Sequence, residues 1–166
     1  IPAEPLFRSQ RIWKSKELIY AKHLPAHVMS VLHQYARQHH FALLGYAGSD
    51  IVTEMPDDEY VHEESRINNM AIRGVDNLLE AIEPQPTKLL MTGHPDDMVR
   101  AEAELADVVG NDMEVFRSAP FFLELVPKGI DKAQSLMRLL SLIGQQPADM
   151  IAFGDGYNDL SMLRLA

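Results

Sequence analysis

The sequence contains no cysteine, which excludes disulfides, thiolate zinc sites and cysteine nucleophiles. Apolar runs are short and none approaches the roughly 20 residues needed to span a bilayer, so we expect no membrane association. The N-terminus, IPAEPLFRSQR, has no basic segment followed by an apolar one and is therefore not expected to be a signal peptide. These absences favour a protein of the cytoplasm.

Clustered positive charge is also lacking. The chain has 15 basic and 24 acidic residues, a formal net charge of -9, and its basic residues are scattered along the sequence. A nucleic-acid partner is therefore not expected. What remains is an ordinary globular composition, with 46% hydrophobic and 23% charged residues in 166 positions, enough for one domain or two very small ones.

The hydropathy pattern predicts interleaved strands and helices, and hence the α/β class. Between about Arg11 and Pro120, hairpins outnumber crossovers, so we predict an antiparallel sheet with helices packed on one face. The composition shifts near Pro127, and beyond it the pattern favours part of a parallel core. We expect segments 121–127 and 149–153 to be parallel strands joined by helix 131–143 in a right-handed crossover.

The start of this last long helix carries the first candidate site. Asp131 and Gln134 have the spacing of a capping box, which puts Lys132 at the first helical position. An ammonium group there opposes the helix dipole, a cost that a site for an anion would accept. Lys132 and the helix N-terminus together would hold a phosphate. The alternative is that Lys132 is a solvated surface residue.

The second candidate site is GDGYND, residues 154–159, between the apolar run MIAF and a helix. Ligands bind at the carboxyl end of a strand in open parallel sheets. Asp155, Asn158 and Asp159 supply hard oxygen atoms of the kind that Mg²⁺ prefers. A simple turn would explain the glycines but not two crowded carboxylates. An EF-hand is excluded because Tyr157 and Ala166 occupy ligand positions.

Taken together, PKGIDKAQSL, SLIGQQPADM and IAFGDGYNDLSML resemble the third and fourth motifs of haloacid-dehalogenase-superfamily phosphatases of the Cof-like branch, which carry a large inserted cap. The resemblance implies that Lys132 neutralises the phosphoryl group and the nucleophile, and that Asp155 binds Mg²⁺. It also implies that Asn158 contacts the phosphate and that Asp159 orients Lys132. Lys128 lies nearby without a role, and Ala133 replaces the family's usual glycine.

The same resemblance implies a domain organisation, with residues 1–120 mainly cap and 121–166 part of the core. The family's nucleophile lies in an Asp-x-Asp-Gly loop, which does not occur in this sequence. Thr92, in LLMTGHP, imitates the second motif but follows strands assigned to the cap. We therefore expect a fragment that lacks core segments at both ends and is itself inactive.

The function implied by the resemblance is Mg²⁺-dependent hydrolysis of small phosphate monoesters, with sugar phosphates as the expected substrates. The intermediate would be an aspartyl-phosphate, and the aspartate that forms it is absent from this chain. One alternative is a cap-like binding or regulatory module without catalysis, since the chain has no nucleophile of its own.

A second alternative is a zinc-dependent deacetylase, because His94-Pro95-Asp96-Asp97 resembles the zinc motif of that family. No histidine follows His94, whereas a catalytic zinc normally has three protein ligands. Pro95 at the first helical position, with two acidic residues after it, is also ordinary chemistry for the start of a helix.

Overall fold

The computed structural model describes residues 7–8, 11–14, 17–129, 132–154 and 159–166. The chain divides into two compact units. The first, here called the terminal unit, comprises Ile1–Lys22 and Gly129–Ala166, and the second, the central unit, comprises His23–Lys128.

Strands and helices alternate along most of the chain, which confirms the α/β class. The strands are β1 (Phe7–Arg8), β2 (Arg11–Lys14), β3 (Glu17–Ala21), β4 (Ala42–Ala47), β5 (Asp50–Thr53), β6 (Ala71–Gly74), β7 (Leu89–Thr92), β8 (Met113–Ala119) and β9 (Phe122–Pro127). The helices are α1 (Ala26–His39), α2 (Glu59–Asn68), α3 (Leu78–Ala81), α4 (Pro95–Val109), α5 (Lys132–Ile143) and α6 (Leu160–Leu165), with a 3-10 helix at Pro147–Asp149.

The central unit contains a six-stranded sheet in the order β6-β5-β4-β7-β9-β8. Every neighbouring pair is antiparallel except β5 and β6, which are parallel. The predicted antiparallel sheet is therefore correct for five strands, and β6 departs from it. Because α2 lies between β5 and β6 in the chain, it serves as the crossover that a parallel pair requires.

Buried side chains alternate between the two faces of this sheet. Leu43 and Met91 pack with α1, α3 and α4 on one face, whereas Leu44 and Leu90 pack with Val61 of α2 on the other. Helices thus cover both faces, not one as predicted. Only Val61 and Glu64 of α2 are buried, and Val61 alone is apolar. The hydropathy pattern of α2 is therefore too weak to predict which face of the sheet this helix covers.

The expected crossover between segments 121–127 and 149–153 is wrong. β9 lies between β7 and β8 and pairs antiparallel with both, so neither of its edges is open to a parallel partner. No described residue pairs as a strand with residues 150–153. The short connection from Ala119 to Phe122 favours a local hairpin over a crossover. The two compact units divide after Lys128, close to the composition shift near Pro127, and residues 1–22 belong to the same unit as residues 129–166.

In the terminal unit, β1, β2 and β3 form a three-stranded antiparallel sheet. The alternation of RIW and ELIYAKH in the sequence predicts a hairpin near Arg11, and the pairing of β2 with β3 confirms it. The guanidinium of Arg138, on α5, lies 4.3 Å from the ring centroid of Tyr20 on β3, and Leu140 of the same helix is buried. None of the described helices is long and apolar enough to cross a membrane.

Candidate functional site

Lys132 is the first residue of α5, as the capping-box pattern predicts, and its side chain is 30% exposed. Its ammonium nitrogen donates a hydrogen bond to Oδ1 of Asp159. The two residues are distant in sequence, and both belong to the terminal unit. The structure therefore brings together two of the residues proposed from the sequence.

Asp159 immediately precedes α6 and stands at its N-cap position, yet its side chain makes no capping hydrogen bond. Only 9% of this side chain is exposed. A buried carboxylate without a cationic partner would be strongly unfavourable. The contact with Lys132 supplies that partner, so the polar bond and the burial of Asp159 depend on each other.

Gly154 approaches Asp159 so closely that no larger residue fits there. A β-carbon added at Gly154 would lie 2.4 Å from the β-carbon of Asp159 and 2.9 Å from its Oδ2. The glycine is thus required by a neighbour within the GDGYND segment. The sequence pattern indicates a turn at this glycine. The two nearby carboxylates, Asp155 and Asp159, are the one sequence signal of a more specific arrangement.

Asp155 and Asn158, the proposed metal and phosphate ligands, lie outside the described residues, as does the proposed N-cap Asp131. Among the residues that are described, no group of three or more histidine and acidic side chains is arranged to hold a metal ion. The oxygen donors of segment 154–159 fit the preference of Mg²⁺ for hard ligands. Asp159, the carboxylate of this segment that the structure describes, is bonded to Lys132.

Lys128 and Thr92 both lie in the central unit. Lys128 Nζ donates to the carbonyl oxygen of Gly110 at 2.8 Å, where it satisfies the C-terminal end of α4. Thr92 is fully buried in β7, and its hydroxyl lies 3.5 Å from Oδ1 of Asp58. Their contacts thus give both residues a role in the structure of the central unit.

The His94-Pro95-Asp96-Asp97 segment forms the start of α4. The backbone N–H of Asp96 points to Nδ1 of His94 at 3.4 Å, and Pro95 occupies the first turn. The side chain of Asp96 is 94% exposed, while Asp97 accepts a bond of 2.5 Å from Arg100. These contacts correspond to the chemistry of a helix start and assemble no three-ligand zinc site within the described part of the chain.

Comparison with known proteins gives a family match over most of the chain. The sequence model of the haloacid dehalogenase-like hydrolase family matches residues 10–166. An HMP-PP phosphatase of Enterobacter sp. (strain 638) is 38% identical over 77 residues, which are 46% of this chain and 28% of that protein.

Two solved structures show the same fold over nearly the whole chain. A haloacid dehalogenase-like hydrolase from Bacteroides thetaiotaomicron is 46% identical with a TM-score of 0.89, over 93% of this chain and 58% of its own. A protein of Thermotoga maritima is 26% identical with a TM-score of 0.82, over 95% of this chain and 59% of its own. The chain thus spans less than two thirds of the length of these relatives.

Proposed function

We propose that this chain, which belongs to the haloacid dehalogenase-like hydrolase family, is the phosphate-binding part of a phosphatase that acts on small phosphate monoesters. The observation that carries the proposal is the bond from Lys132 to the buried Asp159. It supplies a fixed cation at the start of a helix, within the stretch that matches the family.

A fixed ammonium group suits phosphoryl transfer because charge accumulates on the phosphoryl oxygens in the transition state. A cation that is already oriented stabilises this charge without the cost of reorganisation. Asp159 holds Nζ of Lys132 in place and is itself nearly excluded from water. In this proposal Lys132 contacts the phosphoryl group, Asn158 adds a hydrogen bond to it, and Asp159 is a positioning residue.

Asp155 would hold Mg²⁺, and the cation when bound would supply further positive charge for the phosphoryl oxygens. The nucleophile would come from outside residues 1–166, since no Asp-x-Asp-Gly loop occurs among them. The name HMP-PP phosphatase, borne by a relative, supports phosphate esters as the substrate class. Sugar phosphates are the narrower proposal for this chain.

Phosphatase assays on the longer polypeptide that contains this chain test the proposal. We expect Lys132→Ala to lower kcat by several orders of magnitude, because the charge on the phosphoryl group is then unbalanced. Asp159→Asn should lower kcat less, since the amide still accepts a bond from Lys132. Lys128→Ala is the matched control and should leave the rate nearly unchanged, because its ammonium bonds to the carbonyl oxygen of Gly110.

A near-normal rate for Lys132→Ala would contradict the assignment of the site. Turnover by residues 1–166 alone would contradict the claim that the nucleophile lies elsewhere. Absence of phosphatase activity in the longer polypeptide, with a normally folded protein, would favour a binding module.

A further inference from the structure

The central unit contains a cavity of about 340 Å³ between the C-terminal part of α1, the start of α3 and the segment after β5. A volume of this size lies in the range that small-molecule sites occupy. Both polar and apolar residues line the cavity, and the residues of the proposed phosphatase site belong to the other unit.

Glu54 makes most of the polar contacts among the lining residues. Its Oε1 accepts bonds from the backbone N–H of Leu78 at 2.9 Å and from Nε2 of His33 at 2.5 Å. Burial raises the pKa of this carboxyl, but these bonds and the charge of Arg37 outweigh burial, so its pKa lies below the ordinary value. Glu54 is therefore ionised at neutral pH. His33, on α1, lines the cavity.

The second oxygen of Glu54 is differently placed. Oε2 accepts no hydrogen bond from the described part of the chain, and Nε of Arg37 stays 3.8 Å away. The side chain of Arg37 is 65% exposed and therefore has room to move. The cavity thus offers an acceptor and a cationic donor that face each other without a direct hydrogen bond.

The apolar lining residues are Phe41, Leu43, Met55 and Leu78. Leu43 and Leu78 are buried and belong to the main hydrophobic cluster, whereas Met55 is 37% exposed. His40 lines the cavity as well and caps the end of α1. The C-terminal end of a helix carries partial negative charge, which favours a cationic group near it.

We propose that this cavity binds an α-amino acid with an apolar side chain. The ligand's ammonium group donates to Oε2 of Glu54, its carboxylate accepts from the guanidinium of Arg37, and its side chain packs on Phe41, Leu43 and Met55. The three groups of such a ligand match Oε2 of Glu54, the exposed guanidinium of Arg37 and the apolar lining residues of the cavity. Neither charge then enters the cavity without a partner.

Isothermal titration calorimetry on this 166-residue chain tests the proposal, with L-phenylalanine and L-leucine as probes. We expect saturable binding of at least one probe. We expect 3-phenylpropanoic acid, which lacks the ammonium group, and 2-phenylethylamine, which lacks the carboxylate, to bind at least about tenfold more weakly than L-phenylalanine, because each loses a charge-assisted bond. Absence of binding by both amino acids, or equal affinity for either analogue, would overturn the proposal.

Substitution of Arg37 locates the binding. Arg37→Met keeps the length of the side chain but removes the partner of the carboxylate, and we expect affinity to fall at least about tenfold. Arg66→Met is the matched control, because Arg66 forms an exposed pair with Glu63 on α2, and we expect unchanged affinity. Unchanged affinity in Arg37→Met would show that this cavity is not the site. In NMR spectra of the folded protein, we expect the Leu78 amide signal to shift when ligand binds, because this amide donates to Glu54.

Discussion

At the scale of single residues, the close contact between Gly154 and Asp159 constrains the proposed site. The side chain of Asp159 lies against the backbone at Gly154, and it also accepts the bond from Lys132. A β-carbon at position 154 cannot be accommodated unless Asp159 moves. Asp159 and Lys132 can therefore keep their positions only if residue 154 has no β-carbon.

We expect Gly154→Ala to lower the free energy of unfolding of this chain by roughly 1–3 kcal/mol, the usual cost of overpacking. The measurement is urea-induced unfolding followed by circular dichroism. Gly144→Asn is the control: Gly144 has a φ of +73° and no atom within 4 Å of an added β-carbon, and asparagine tolerates that conformation. Equal effects of the two substitutions would show that the contact with Asp159 is not the constraint.

At the scale of elements, α2 depends on its N-terminal cap more than the longer helices do. Oδ1 of Asp58 accepts the backbone N–H groups of Tyr60 at 2.9 Å and Val61 at 3.1 Å. Beyond the cap, the ring of Tyr60 stacks on Phe121 at 5.1 Å, and Val61 is the only buried apolar residue of the helix. A helix with so little apolar contact relies on its terminal hydrogen bonds.

We expect Asp58→Ala to destabilise the chain by about 0.5–2 kcal/mol, because two backbone N–H groups lose their acceptor. Asp57→Ala provides the comparison, since Asp57 is exposed and does not cap the helix. Thermal unfolding of both variants checks the expectation. A loss in Asp57→Ala as large as that in Asp58→Ala would mean that local charge, not capping, is responsible.

At the scale of the whole molecule, each unit has its own sheet. Both hydrophobic clusters of the six-stranded sheet consist of residues from His23–Lys128. In the terminal unit, by contrast, Ile151 is 83% and Phe153 is 87% exposed, and no described strand pairs with them. The central unit thus has an apolar core built from its own residues.

We expect the isolated segment His23–Lys128 to fold, with a dispersed NMR spectrum and a cooperative urea transition, because its core needs no residue from outside the segment. Leu90→Ala in that segment should cost about 2–5 kcal/mol, since Leu90 is fully buried. A collapsed spectrum of the unsubstituted segment would contradict the independence of this core.

The spacing of apolar residues predicts most of the helices and strands, because it indicates which side of each element is buried. The helix beginning at Pro95 and the hairpin near Arg11 are predicted on this basis, and the structure confirms them. Spacing failed where the apolar pattern was weak, as in α2, and where a strand lacked a partner, as in residues 150–153.

Several properties follow from the amino-acid sequence alone: the exclusion of cysteine chemistry, the α/β class, and the choice of Lys132 and Asp159 as candidate site residues. Residue types and local spacing are sufficient for these, because they depend on neighbours in the chain. Only the tertiary structure decided the antiparallel partners of β9 and the closeness of Gly154 to Asp159. It alone also brought Glu54 and Arg37 to one cavity. The pairing of strands and the lining of a cavity depend on packing between segments distant in sequence, and a local pattern shows that a surface is buried without showing which segment buries it.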